Sequence, residues 1–445
     1  MKSKIKSVSV KNFLKVSLKE GDLARSFLIM FSSTMVVNVI NYVYNILVGR
    51  LLGPSDYGVF VSLLSLTLIF SGISGTVQTV ITRYAAILKY ENSQRTIYRY
   101  FVRAIQIFSA VGVFVFILFF VLTPYIRRFL NIDISAPVYV VGMLLGVSFI
   151  TPIVRGTLQG IQDYKALSVN MILDSFLRLV FGISLIVLGL RVSGAIGSQV
   201  ISAIVAFFIS IYFVLKLRSS DEGTYKIPRA SIYKYSFLTL YTISCFLLLT
   251  NLDVVLVKHF FDPHTAGIYS SAVTIGRIIL YFPGAMAIVL FPKISELQTL
   301  SKKSVKTLAK ALIIVIALCV ILNVIYFVVP DLLVRIMFGK AFIESVPYIG
   351  YYGIAMTFYS LLNLAVFFLL SLNFYSLIPV LTITSLAELI LINYFHRNLF
   401  EVIYMLILVS LVSLATLISI IVINHFKGEK RNKRLENNIN NNTGL

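Results

Sequence analysis

Long apolar runs alternate along the chain with short polar connections, many of them basic. FVRAIQIFSAVGVFVFILFFVLT (101–123) and EVIYMLILVSLVSLATLISIIVINHF (401–426) each contain one formally charged residue, Arg103 and Glu401. A helix crosses the roughly 30 Å hydrocarbon slab of a bilayer in about 20 residues, so runs of this kind predict membrane spans. The pattern predicts twelve, near 27–48, 59–83, 101–123, 136–156, 166–190, 193–216, 235–259, 267–291, 308–330, 345–370, 374–396 and 400–425. The expected fold is an all-α polytopic membrane protein. Composition agrees: with 58 % apolar and 13 % charged residues, the chain holds more hydrocarbon than a globular core of its length can hide.

Charge adds a topology. The net charge of +21 does not form one stripe interleaved with aromatic residues, so it does not predict a nucleic-acid surface. Instead, 29 of the 39 Lys and Arg residues fall in alternate connections, against eight in the others. Basic connections are retained in the cytoplasm, which places both termini there. Residues 1–26 are expected to be a basic cytoplasmic or interfacial arm without a cleavable signal. The Asn-rich stretch 426–445 is expected to be disordered. Cys245 and Cys319 lie inside apolar runs and are expected to be reduced packing residues.

The mixed segment GRLLGPSDYGVF (49–60) has a counterpart, HFFDPHTAGIYS (259–270). An offset of 209 residues places Pro54 on Pro263, Gly58 on Gly267 and Gly75 on Gly284. The offset covers six spans, an even number, so the two copies keep the same orientation. The expected arrangement is a six-helix lobe at 27–216, a cytoplasmic linker at 217–234 and a second lobe at 235–425, enclosing a cleft. The patterns GMLLG (142–146) and GTLQG (156–160) suit close helix packing.

Polar side chains within spans usually face an interior. Asn38, Asn41 and Asn45 share one face of the first span, and Thr250, Asn251 and Asp253 lie at nearby positions of the seventh. Interhelical hydrogen bonding and a cavity lining both explain such stripes. Asp174 and Arg178, four apart, form a pair whose use is structural or functional. Arg277 has no acidic residue in its own span. Its insertion costs about 2.5–3.5 kcal/mol, which a carboxylate from another helix or an anionic ligand must offset. Its planar fork of donors suits phosphate, making it the first candidate for substrate contact. Glu388 is the remaining buried acid, with titration, pairing and helix capping all open to it. No metal-ligand cluster or cofactor motif is found, no GxxxxGK[ST] motor sequence, and no nucleophile–base set on a loop large enough for catalysis. Transport, rather than enzymatic chemistry, is what these absences leave.

Several segments together resemble the polysaccharide-biosynthesis flippases of the multidrug/oligosaccharidyl-lipid/polysaccharide exporter superfamily. They are GRLLGPSDYGVF, GTLQGIQDYKALS, LDVVLVKHFFDPHTAGIYSSAV, LFPKIS and FGKAFIESVPY, in an order covering about residues 25–425. The resemblance implies twelve helices in two MATE-like lobes of a plasma-membrane protein. It implies a polyprenyl-pyrophosphate- or dolichyl-phosphate-linked oligosaccharide as substrate, moved from the inner to the outer leaflet. Membrane lipids, and a glycosyltransferase or polymerase of the same pathway, are the partners it suggests. Related flippases carry cavity arginines, one in the eighth span before a proline. Arg277, six residues before Pro283, resembles that position. The first span offers asparagines where relatives have arginine, with Arg178 and Arg83 as substitutes. A multidrug or cation antiporter of the same superfamily would rely on acids such as Asp253 or Glu388, with Asp174 a further candidate. A membrane polymerase or ligase would want a larger outer loop.

Overall fold

The computed structural model describes residues 20–90, 94–215, 230–281, 302–372, 374 and 376–443, and every regular element among them is helical. The basic arm up to residue 19, the linker at 217–229, the latter part of the eighth expected span and the LFPKIS segment lie outside the described residues. Among the described residues, nine helical stretches are long and apolar enough to cross a membrane. Two of them, Leu28–Lys89 and Tyr164–Leu215, are 62 and 52 residues long, enough for two expected spans each. The chain is a multi-pass membrane protein.

Helix α1 (Glu20–Tyr90) carries the first two expected spans, and the mixed segment between them shrinks to a single residue. Gly53 adopts φ 73° and ψ 174°, a conformation that side-chain-bearing residues avoid. Pro54 follows at once, its fixed φ suited to a helix start and its missing N–H unneeded there. The first half continues with α2 (Gln94–Phe129), α3 (Ala136–Ser148), α4 (Thr151–Gly160), α5 (Tyr164–Leu185) and α6 (Arg191–Leu215). The second half contains α7 (Ala230–Leu249), α8 (Leu252–Phe260), α9 (Pro263–Gly276), α10 (Lys302–Val328), α11 (Pro330–Met337), α12 (Val346–Ser371), α13 (Leu377–Tyr394) and α14 (Leu399–Thr443). Helix α14 continues into the stretch where no regular structure was expected. Its extension contains Lys, Arg and Glu, good helix formers.

Outward-facing apolar side chains such as Phe114, Ile117 and Val121 of α2, and Ile313 and Val320 of α10, are solvated by acyl chains instead of protein. The small-residue patterns pack as expected: Gly146 lies on Gly112 of α2, and Gly156 and Gly160 lie on α1 at Gln78 and Thr82. Cys245 and Cys319 are free thiols, half-buried and buried respectively.

The two related segments meet at the Gly53 end of the bundle. A methyl group on Gly58 would press on the backbone of Gly267, and one on Gly267 would overlap the carbonyl of Pro54. The paired glycines are thus a place where the two halves touch backbone to backbone. Around them, Tyr57 is fully buried against Phe338 and Phe342, with ring centroids 5.3 and 5.8 Å away. Arg50 caps the end of α11, donating from Nε to the Met337 carbonyl at 2.8 Å and from Nη2 to Ile336. Asn131 donates to the His259 carbonyl at 2.9 Å and accepts from Lys258 at 3.3 Å.

Asp262 caps α9 by accepting from the Thr265 N–H at 3.0 Å. Hydrogen bonds from Thr265 hold its carboxyl below the usual aspartate range. The cap therefore contributes fully above the ordinary aspartate pKa and is lost as pH falls through the depressed value. Asp262→Ala is expected to cost about 1 kcal/mol at neutral pH. Thermal unfolding in detergent should show that difference shrinking below the ordinary aspartate range.

Candidate functional site

A chamber of about 290 Å³ lies between the halves. Its walls include Asn41, Tyr44 and Asn45 from the first arm of α1, Ser65 and Thr67 from the second, Arg178 from α5, Gln199 from α6, and Thr274 and Arg277 from the second half. Towards the Gly53 end it is closed by Tyr57, whose hydroxyl bonds Thr274 Oγ1 at 2.8 Å.

Arg178 reaches the chamber from a cluster buried among α4, α5 and α6. Its Nη2 donates to Asp174 Oδ2 at 3.1 Å, and its Nη1 to Asn41 Oδ1 at 3.4 Å. The same Asp174 oxygen accepts from Arg155 Nη2 at 2.8 Å, while Oδ1 accepts from Ser202 at 2.7 Å. Arg155 is tied further by Asn170, to which its Nε donates at 2.7 Å. The expected Asp174–Arg178 pair is therefore one edge of a triad. Arg155, at the end of the span expected at 136–156, was not among the candidates. The structure places it within α4, one helix away from its carboxylate.

Arg277 begins the tight turn Arg277–Leu280 that follows α9. It is not the solitary cation that its own span suggested. The seventh span is interrupted at Thr250–Asn251, between α7 and α8. The Thr250 carbonyl accepts from Arg277 Nη2 at 2.5 Å. Asp253, in the first turn of α8, stands 3.4 Å from the same nitrogen. The other Asp253 oxygen accepts from the buried hydroxyls of Tyr269 and Tyr352, at 2.9 and 3.0 Å. A carboxylate from another helix thus repays part of the cost of burying the guanidinium. Among the described residues, the Nε groups of Arg178 and Arg277 are buried without a protein acceptor. Both fixed cations retain donor capacity for an anion.

A second, larger cavity of about 800 Å³ lies next to the chamber, on the side away from Gly53. Its lining is mostly apolar, with Met30, Phe31, Met35, Val39, Ile278 and Leu280, and Asn38 among the few polar members. Tyr42 and Tyr281 line both spaces, so the cationic chamber and the apolar cavity share a wall of phenols.

Of the residues singled out from the sequence, Asn41, Asn45, Arg178 and Arg277 meet in the chamber and Asn38 enters the adjoining cavity. Arg83 does not join them: it is exposed on the second arm of α1, well towards the end opposite Gly53. Asn251 is buried and turned back on the preceding helix α7, donating to the Leu247 carbonyl at 2.8 Å. Asp174 and Asp253 stand behind the arginines as their counter-charges. Glu388 is fully buried elsewhere, accepting from Tyr359 at 2.8 Å. Arg155, Tyr269 and Tyr352 were missed. The two tyrosines are unremarkable among 25 in the sequence, and only the interrupted seventh span brings Asp253 to them.

A sequence model of the family described as polysaccharide biosynthesis protein matches residues 23–298. An uncharacterized membrane protein of Methanocaldococcus jannaschii is 23 % identical over 303 residues, covering 63 % of this chain and 69 % of its own. Among solved structures, an inward-facing multidrug resistance MATE family transporter of the MOP superfamily superposes with a TM-score of 0.71 at 12 % identity, covering 89 % of this chain and 98 % of that one. The lipid II flippase MurJ in an inward closed conformation gives a TM-score of 0.67 at 15 % identity, covering 88 % and 86 %. At these identities the structural likeness establishes the fold, which is MATE-like.

Proposed function

The chain belongs to the polysaccharide biosynthesis protein family, and on that premise we propose that it is a flippase, not an enzyme, moving a lipid-linked oligosaccharide from the inner to the outer leaflet of the plasma membrane. The observation that carries this reading is the adjacency of a cationic chamber and a larger apolar cavity across Tyr42 and Tyr281. A (pyro)phosphate headgroup suits the first, because guanidinium donors stay charged and match phosphate oxygens. A polyprenyl or dolichyl chain suits the second, because leaving the bilayer would expose it to water at about 25 cal/mol per Å². With both termini cytoplasmic, the Gly53 end is the outer end. Contacts such as Gly58–Gly267 and Arg50–Met337 then close the chamber to the outside, and the apolar cavity lies towards the cytoplasm. The two lobes, 27–216 and 235–425, rock apart at this contact to release the sugar outside. Enzymes that build or polymerise the glycan are the partners this role requires.

Depleting the protein in its host tests the reading. Lipid-linked oligosaccharide is expected to accumulate on the cytoplasmic leaflet, read by its protection from an impermeant glycosidase added outside. An unchanged leaflet distribution would refute it. Within this reading, Glu388 is the acid left to exchange a coupling ion, since Asp174 and Asp253 are each held by arginine. Glu388→Gln preserves the acceptor for Tyr359 and removes ionisation. It is expected to abolish any acceleration of flipping by a pH gradient across reconstituted vesicles while leaving the folded yield intact.

A further inference from the structure

The fixed charges around the chamber form two unequal groups. Arg277 faces Asp253, so that pair is neutral overall. Arg155 and Arg178 share the single carboxylate of Asp174, so the triad carries one unmatched positive charge. Asp174 is buried and its second oxygen is held by Ser202, which anchors the triad in the protein. No further charged side chain lines the chamber among the described residues. Unbalanced charge in a poorly solvated space is strongly penalised, since the interaction between charges grows as the local dielectric falls. The wall is therefore electrically matched to one negative charge.

Resting on the flippase reading, we propose that this chamber selects a lipid-linked glycan joined through a singly charged phosphodiester over one joined through a doubly charged pyrophosphate. The two linkages differ by one negative charge and by one phosphoryl group of length, while the sugar and the isoprenoid can be identical. A pyrophosphate would compensate the triad and leave a second charge with no counterpart. Asp174 sets the preference without needing to touch the ligand, because it determines how much of the charge of Arg155 and Arg178 remains uncompensated. It is a specificity-determining residue, and Arg155 acts with it from behind Arg178.

The test uses full-length protein in vesicles and two synthetic probes that share a neutral disaccharide and a short polyprenyl chain, one a monophosphate diester and the other a pyrophosphate diester. The wild type is expected to flip the monophosphate probe about tenfold faster, equivalent to about 1.4 kcal/mol. Asp174→Asn keeps an oxygen for the two arginines, turns its NH2 to donate to the Ser202 hydroxyl, which still has the Gln199 carbonyl to donate to, and raises the net charge by one, so the preference should reverse. Arg155→Gln leaves the Asp174–Arg178 pair intact and neutralises the triad. It should slow the monophosphate probe about tenfold, with Arg155→Lys restoring the rate. Because Arg155→Gln leaves no buried carboxylate unpaired, it serves even where Asp174→Asn fails to fold. Equal rates for the two probes in the wild type, or faster pyrophosphate flipping, would overturn the proposal and leave the flippase reading standing. Movement of neither probe would overturn the flippase reading itself.

Discussion

Arg277→Ala is expected to reduce flipping of a lipid-linked oligosaccharide by roughly 10- to 100-fold in reconstituted vesicles, the scale of losing one charge-assisted hydrogen bond to a phosphate. The single variant has a second effect. It strands Asp253, a carboxylate buried beneath Tyr269 and Tyr352, and leaving a buried charge unpaired costs about 3–5 kcal/mol. A fall in activity from Arg277→Ala alone therefore mixes folding with binding. The double variant Arg277→Ala/Asp253→Asn separates them, because an amide oxygen still accepts from the two phenols and no charge is stranded. Thermal stability is expected to recover in the double variant while flipping stays low. Recovery of both together would mean that Arg277 only neutralises Asp253, and the assignment of substrate contact would fall.

Gly267→Val should act on the conformational cycle. A valine there collides with the Pro54 backbone, which has no rotamer to move out of the way. Overpacking of this kind costs typically 1–3 kcal/mol, and here the cost applies only while the two halves touch. The state closed at the Gly53 end loses that energy and the open state does not, so the balance shifts towards opening by about tenfold or more. Ser65 lines the chamber and its hydroxyl has no hydrogen-bond partner among the described residues, which makes Ser65→Cys a mild reporter in a background with Cys245 and Cys319 replaced by alanine. An impermeant thiol reagent applied on the Gly53 side should label this reporter faster when Gly267→Val is present. Equal labelling in both backgrounds would show that the glycine contact does not gate the chamber.

Membrane character and the correspondence of the 54–58 and 263–267 segments were legible in the sequence because each shows in a short window of residues. An apolar run of twenty residues is a span whatever its neighbours are, since lipid solvates it as well as protein does. A Gly-Pro step followed by a second glycine reports the turn it makes. The family resemblance drew on the same turn motifs. The polar residues of the spans were also visible as costly exceptions, and four of them, Asn41, Asn45, Arg178 and Arg277, do share one chamber. Their partners were less visible. Arg155 stands at the end of the span expected at 136–156, a helix away in sequence from Asp174, and Asp253 reads as one member of a stripe with Asn251. Asn251 turns back on the preceding helix, whereas Asp253 crosses to Arg277.

By itself, then, the sequence determined that this chain crosses the membrane many times, as helices throughout the described residues, and that it carries ionised groups where hydrocarbon should be. Only the tertiary structure decided which of those groups meet. Helical periodicity specifies the face a side chain occupies relative to its own helix. The rotation and crossing of helices, set by contacts such as Gly58 on Gly267 and by the break at Thr250–Asn251, decide what that face looks at. Pairing across helices depends on those long-range contacts, which no local window of residues contains.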